Sequence, residues 1–430
     1  MTVYLHSLGC DKNLVDSEVM LGLLYDKGYK SVDPSQAEMI VVNTCGFIQE
    51  AVEEGINTIL ELAAYKESGK CKTLIVTGCM AQRYRAEILQ EIPEVDEILG
   101  VNDFPKIVGL DIDVLDDKLF EKRISTMPLH VAYVKISEGC NNCCTYCTIP
   151  KIRGSYRERK MESIVKECQK LVENGAKEIV LIAQDTAKYG TSLYGEQRLH
   201  ELVKQVAAIQ NIGWVRVMYA YPEHVYPELI EVISNTPNVC SYIDMPIQHS
   251  HAQVALRMGR KNTDLRRLIS DLQNAGITIR TTLIVGFPGE TDDEFTHLRQ
   301  FVEEVKFDHL GAFPYSKEDG TPAAAMEGQI KSDLKKLRHD EMMTLQAGIA
   351  EQKTKTLVGQ TIKIMVDGIV VEEDGEIVYS GRSQRDAYEV DGAAFFTCNA
   401  DIISGSFVMI KVTRSQGYDV YGELVQIIED

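Results

Sequence analysis

Four cysteines fall within eight positions of the segment GCNNCCTYCTIP, residues 139–150. Cys140, Cys144 and Cys147 read as CxxxCxxC, while Cys140, Cys143 and Cys147 read as CxxCxxxC, and spacing alone leaves both registers open. Three thiolates on one loop can hold three irons of a four-iron cluster and leave the fourth iron free for a substrate, whereas an electron carrier ties down all four. No fourth cysteine stands at a suitable local spacing. Zinc is the competing metal, because CxxC pairs are common zinc ligands, but a structural zinc site wants a second pair or two spaced histidines, and none follows. The eleven cysteines form an odd set in a long chain without an export signal, which argues against a disulfide framework.

A second set is spread more widely. Cys10, Cys45 and Cys79 are 35 and 34 residues apart, and each lies just past an apolar run (SLGC, VNTC, VTGC). Parallel strands would bring the three thiols to one carboxyl edge, where open α/β sheets bind ligands. A single cysteine there is an ordinary small hydrophobe, but three equivalent ones point to a second three-thiol cluster. Sequence separation places this set about a barrel's depth from the first. Cys71, Cys143, Cys168, Cys240 and Cys398 have no partner spacing and read as structural.

The elements that must position these thiols follow from the hydrophobic pattern. A chain of 430 residues suggests about three domains. Residues 1–125 alternate strand-like runs with amphipathic stretches, which predicts an N-terminal parallel-sheet α/β domain. The acidic, aperiodic stretch near 109–128 reads as a linker. Residues 126–356 carry six strand-plus-helix units, AYVKI, EIVLIA, WVRVMYA, YIDMPI, IRTTLIVG and HLGAFPY, then a long helix near 332–356. Six units are fewer than a closed barrel's eight, so the pattern predicts a partial (β/α)6 barrel with its site at the strands' carboxyl ends. Residues 357–430 hold short β-type runs between Gly and Asp turns and read as a small all-β barrel. No apolar run reaches a membrane span and no leader is evident, so a cytoplasmic protein is expected.

The thiol loop after the first barrel strand, with Tyr146 just before its last cysteine, resembles the radical S-adenosylmethionine enzymes, and that resemblance selects Cys144 over Cys143. LGCDKN, NTCGF and GCMAQ resemble the N-terminal domain of the methylthiotransferases within that superfamily, whose order is this domain, the radical barrel and a terminal TRAM β-barrel. AQDTAKYG, RVMYAYP and MPIQHS are similar to the RimO branch, which modifies the β-carbon of an aspartate in the twelfth small-subunit ribosomal protein. The resemblance implies two [4Fe-4S] clusters, a radical one on Cys140, Cys144 and Cys147 and an auxiliary one on Cys10, Cys45 and Cys79. S-adenosylmethionine would serve as radical source and methyl donor. A cofactor-generated radical suits a C–H bond with no proton acidic enough for a side-chain base. The alternatives are a MiaB-like tRNA adenosine methylthiotransferase and, from another class, a non-catalytic iron–sulfur electron carrier or zinc scaffold.

By position, Tyr146, Ala183, Gln184, Asp185, Arg216, Ile284, Gly286 and Gly289 match the family's S-adenosylmethionine contacts, although a turn-capping role for Asp185 and a structural ion pair for Arg216 fit equally. His249 and His251 read as polar pocket residues. The basic run KIRGSYRERK could guide an anion but more simply forms a solvated face. Residues 1–125 hold 12 basic and 22 acidic side chains, 126–356 hold 28 and 29, and 357–430 hold 5 and 13, so the flanks carry the net charge of -19. An acidic tail domain with aromatics favours a basic ribosomal protein, free or on the small subunit, over tight nucleic-acid binding, with Asp386, Glu389 and Asp391 helping capture. An electron donor of reductase or flavodoxin type is implied; the sulfur donor is not.

Overall fold

Runs such as MIVVNT and TLIVTG are apolar on both faces, as strands covered from both sides must be, and each is followed by a helix that returns the chain to the same edge. The computed structural model, which describes residues 1–261, 263–373 and 376–428, builds two parallel sheets from such units. The first contains β1 (Thr2–Ser7), β2 (Lys30–Ser31), β3 (Met39–Thr44), β4 (Thr73–Gly78) and β5 (Glu97–Leu99) in the order β2-β1-β3-β4-β5, all parallel. Its register pairs Ser7 with Asn43 and Thr44 with Gly78, so β1, β3 and β4 end side by side. The short edge strands β2 and β5 leave no hydrophobic signature in the sequence.

The central sheet comprises β6 (Val131–Lys135), β9 (Glu178–Ile182), β10 (Trp214–Val217), β11 (Val239–Asp244), β12 (Thr278–Val285) and β13 (His309–Pro314), parallel and in that spatial sequence. A small antiparallel ribbon, β7 (Ser137–Glu138) with β8 (Arg157–Glu158), brackets the cysteine loop. Alternate strand residues face opposite cores. Val134, Ile179, Leu181, Val217 and Ile243 pack under the crossover helices, while Val131, Tyr133, Val180, Trp214 and Tyr242 join a core with Val15 and Val19 of the helix Asp11–Asp26 and with Met365 and Phe407 of the C-terminal barrel. The second face of the open sheet is therefore covered by its two neighbours, which explains why the helix Asp11–Asp26 buries polar residues (Asn13, Asp16, Ser17, Glu18) as well as apolar ones. The third unit is a closed barrel of β14 (Thr361–Glu373), β15 (Glu376–Arg382), β16 (Ala394–Thr397), β17 (Phe407–Gln416) and β18 (Asp419–Ile428), ordered β14-β15-β16-β18-β17.

Three expectations are corrected. The stretch read as a linker is pinned: Arg123 donates to Glu18 and Glu167 and to the carbonyl of Tyr133, all in buried surroundings. The acidic tail residues are mostly engaged within the chain. Asp391, its side chain 2% exposed, accepts from Tyr242 Oη at 2.7 Å and pairs with Arg280, and Asp386 accepts from Ser383 Oγ at 2.7 Å beside His309; of the three, only Glu389 is exposed. Arg216 belongs to the same interface. Its Nε donates to Glu178 at 2.7 Å and its Nη1 to the Gln384 carbonyl at 2.9 Å, and Arg382 of β15 also pairs with Glu178, so this arginine joins the sheet to the C-terminal barrel and does not face a cofactor.

Glu178 thus neutralises two buried guanidinium groups; losing it strands Arg216 and leaves Arg382 with Asp367 alone. Glu178→Gln should lower stability by roughly 3–5 kcal/mol in urea unfolding. Burial alone would raise the Glu178 carboxyl, but Arg382 and Arg216 outweigh it and hold it below the usual value of 4.5, so the stabilisation is complete above that pH and fades as acid lowers pH through the folded-state value. An unchanged acid limb in Glu178→Gln would remove this pairing from the stability account.

Candidate functional site: six thiols around one cavity

After β6 the chain must turn sharply to place a thiol loop at the strand's carboxyl end. Gly139 makes the turn at φ +75°, where a Cβ would lie 2.3 Å from the Ser155 carbonyl. Backbone bonds then shape the loop: Cys140 N donates to Gly154 at 3.1 Å, Cys144 N to Asn142 at 2.9 Å and Cys147 N to Cys144 at 3.1 Å. The amides of Asn142 and Ile149 donate to the sulfurs of Cys140 and Cys147, each at 3.4 Å, and Tyr221 Oη lies 3.3 Å from Cys144 Sγ. Such donors favour thiolates. Burial opposes them, pushing the Cys140 thiol up to about 11 and Cys147 to about 12, so metal binding must displace their protons.

The second set is built on the first sheet. Cys10 caps the helix Asp11–Asp26, Cys45 follows β3 and Cys79 follows β4. Asn13 fastens two of these loops, donating from Nδ2 to the carbonyls of Leu8 and Thr44 at 3.0 Å. Gly9, at φ +91°, permits the approach of Cys45, whose Cβ would stand 2.8 Å from any Cβ at position 9. Burial raises the Cys79 thiol to about 11 and is opposed by the nearby Arg153 guanidinium.

Cys10, Cys45, Cys79, Cys140, Cys144 and Cys147 all line one cavity of about 380 Å³. The separation of a barrel's depth read from the sequence is therefore wrong: the first sheet leans its thiol edge over the thiol loop of the second. Arg153, on the helix Ile149–Ile152's C-terminal flank, lines the same cavity and ties the two sides, donating to Glu138 at 2.9 Å, to Asp16 at 3.3 Å and to Asn13 Oδ1 at 2.5 Å. Burial alone would raise the Glu138 carboxyl, but Arg153 and Lys135 hold it well below its usual range. The basic run is a solvated face only in part: Lys151 and Lys160 are exposed, but Arg153 and Arg159 are each 1% exposed and Arg159 pairs with Glu167.

The remaining candidates divide. Tyr146, Ala183 and Gln184 line the cavity. Asp185 is fully buried behind it, accepting from Asn142 Nδ2 at 2.8 Å and meeting His224 Nδ1 at 2.6 Å. Ile284 packs with Tyr146 and Phe287, Gly286 donates its amide to Glu290, and Gly289 hydrogen-bonds to Gly328, so this stretch backs the wall while Gln248 and Thr282 face inward. His249 is buried, its protonation suppressed to about 3 by that burial, and neither it nor His251 lines the cavity. Lys12, Phe47, Tyr219, Tyr221 and Arg260 line it without any signal in spacing; the quoted motifs LGCDKN, NTCGF and RVMYAYP contain Lys12, Phe47, Tyr219 and Tyr221, and Arg260 lies in none of them. Cys143 is exposed and turned outward, its sulfur 3.6 Å from the Asn141 carbonyl. Among the described residues no three of His, Cys, Asp or Glu converge on a single-ion site. Cluster thiolates, each on its own iron, need no such convergence.

Known proteins share this architecture. Residues 2–100 match the family described as Uncharacterized protein family UPF0004, residues 134–302 the Radical SAM superfamily, and residues 358–425 the TRAM domain. The chain is 47% identical to the ribosomal protein uS12 methylthiotransferase RimO of Clostridium botulinum, over 98% of this chain and 97% of that protein. Against the RimO of Lachnoclostridium phytofermentans it is 46% identical, over 98% and 99%. Among solved structures, the radical S-adenosylmethionine methyltransferase TsrM from Kitasatospora setae superimposes with a TM-score of 0.56 at 13% identity, covering 75% of this chain and 76% of that one, a likeness of fold.

The two thiols at the loop's centre differ in placement, so they should differ in consequence. Cys143→Ser should keep about eight irons per chain, whereas Cys144→Ser should keep about four, if each triad holds a four-iron cluster. Iron loss from Cys143→Ser would overturn the assignment.

Proposed function

The chain belongs to the ribosomal protein uS12 methylthiotransferase family, RimO, and from that premise we propose that its six cavity thiols hold two four-iron clusters that serve one reaction chamber. It is a radical S-adenosylmethionine enzyme, using that cofactor and an iron–sulfur cluster to replace a C–H bond of uS12 by C–S–CH3, at the β-carbon of an aspartate. The observation that carries the two-cluster reading is the shared cavity. Sulfur insertion needs the activated carbon and the sulfur within bonding reach in one water-poor space, and two separate sites could not provide that.

The fit rests on the donor set. Three thiols on the loop after β6, with Asn142 and Ile149 amides aimed at their sulfurs, suit three corners of a cluster and leave a fourth open. Bound there, the cluster and S-adenosylmethionine supply one-electron chemistry strong enough to break an unactivated C–H bond. Gln184, held by its Nε2 to Glu138 at 3.1 Å, offers its amide oxygen to the cofactor's ammonium group. Its oxygen is buried and has no hydrogen-bond partner among the described residues, as a group awaiting a ligand would be. Tyr146 closes the wall beside the last thiol, meeting Phe287 edge-on with ring centroids 6.5 Å apart. Cys10, Cys45 and Cys79 would hold the auxiliary cluster on the same chamber, and that cluster would supply the sulfur to be inserted. Electrons come from a donor of reductase or flavodoxin type.

Separation of roles is testable by dividing the two products. Cys45→Ala should still release 5'-deoxyadenosine under reductant while methylthiolated uS12 disappears, and Cys147→Ala should lose both. Wild type should modify uS12 and leave a tRNA fraction unchanged. Product formation by Cys45→Ala at the wild-type rate would return the second triad to buried structural thiols.

A further inference from the structure

Three cationic side chains line the cavity: Lys12, Arg153 and Arg260. Arg153 pairs with Glu138 at 2.9 Å and Arg260 with Glu223 at 3.1 Å. Lys12 differs. It is 7% exposed, yet among the described residues it has no carboxylate partner, and its Nζ sits 3.2 Å from the centroid of the Tyr219 ring. The face of a ring offsets only part of the cost of desolvating an ammonium, so the site is built for an anion that is not part of the chain.

The support beneath the ammonium is itself strained. Tyr219 adopts φ 62°, a left-handed conformation that a bulky aromatic rarely takes, and its hydroxyl donates to Asp11 Oδ2 at 2.7 Å. That bond commits Asp11 to Tyr219, and among the described residues no carboxylate pairs with Lys12. Helix and strand end thus cooperate to hold an unpaired positive charge at the cavity wall, two residues from Cys10.

We propose that Lys12 recognises the carboxylate of the target aspartate, an inference that rests on the uS12 methylthiotransferase reading. In aspartate the carboxylate is bonded directly to the β-carbon that receives sulfur. Holding that carboxylate on Lys12 presents the β-carbon to the chamber beside the wall that carries Cys10, Cys45 and Cys79. The same contact selects aspartate over asparagine, because a neutral amide does not compensate a desolvated ammonium.

The test measures binding of purified uS12, and of uS12 with asparagine at the target position, to anaerobically reconstituted enzyme. Wild type should prefer the aspartate form by roughly tenfold to a hundredfold, the range of a charge-assisted hydrogen bond. Lys12→Met should bind both forms alike, with unchanged iron and sulfide and unchanged affinity for S-adenosylmethionine, and Lys12→Arg should recover part of the preference. Lys12→Gln, which keeps a donor and removes the charge, should repeat the loss and guards against a misfolded Met variant. Persistent discrimination in Lys12→Met and Lys12→Gln would overturn the proposal. So would loss of iron or of cofactor affinity, which would assign the charge to a cluster or to the cofactor's carboxylate. Wild type that fails to modify uS12 would sink the underlying reading, whereas an active wild type with indifferent Lys12 variants would sink this inference alone.

Discussion

Four buried charges, Asp16, Lys135, Glu138 and Arg153, join the two walls of the chamber. Lys135 pairs with Asp16 and Glu138, and Arg153 bridges the same two carboxylates from the thiol loop. One acid comes from the N-terminal helix and the other from the ribbon beside the cysteines, so the network fixes the first sheet's thiol edge over the second sheet's loop. Alternating signs make each charge the counter-ion of its neighbours. Removing one would leave a net buried charge among the other three, a loss on the order of 3–5 kcal/mol, which is why such a network specifies a geometry more than it adds stability.

That constraint propagates outward. The helix Asp11–Asp26 lies between the sheets and bears Cys10, Lys12, Asn13 and Asp16 within its first two turns, so the auxiliary thiol, the unpaired ammonium, the loop fastener and the docking acid move as one body. Asn13 links the levels directly: its amide nitrogen secures the thiol loops while its oxygen accepts from Arg153. On the far side, Glu178 with Arg216 and Arg382 does for the C-terminal barrel what the first network does for the N-terminal sheet.

Much of the fold was legible in the sequence because its strands are apolar on both faces and separated by helical spacing, which reports the parallel sheets directly. Cys140, Cys144 and Cys147 were legible from their spacing on one loop, and Cys10, Cys45 and Cys79 because each follows a strand and parallel strands end together. Lys12, Tyr219 and Arg260 were not, since their significance lies in which partner each has or lacks across a domain boundary. The same blindness misplaced Arg216, Asp386 and Asp391: a charge in an apolar run looks the same whether it faces a cofactor, a substrate or another domain. Periodicity also says nothing about how two sheets lean on each other, so the shared cavity emerged only in three dimensions.

The central claim is that both thiol sets face one chamber, and the magnetic interaction between their clusters tests it most directly. Pulsed electron paramagnetic resonance on the doubly reduced protein should resolve two four-iron signals coupled through space, with the coupling abolished in Cys45→Ala while the radical cluster's own signal persists. Two signals with no measurable coupling would place the clusters in separate sites and contradict the account.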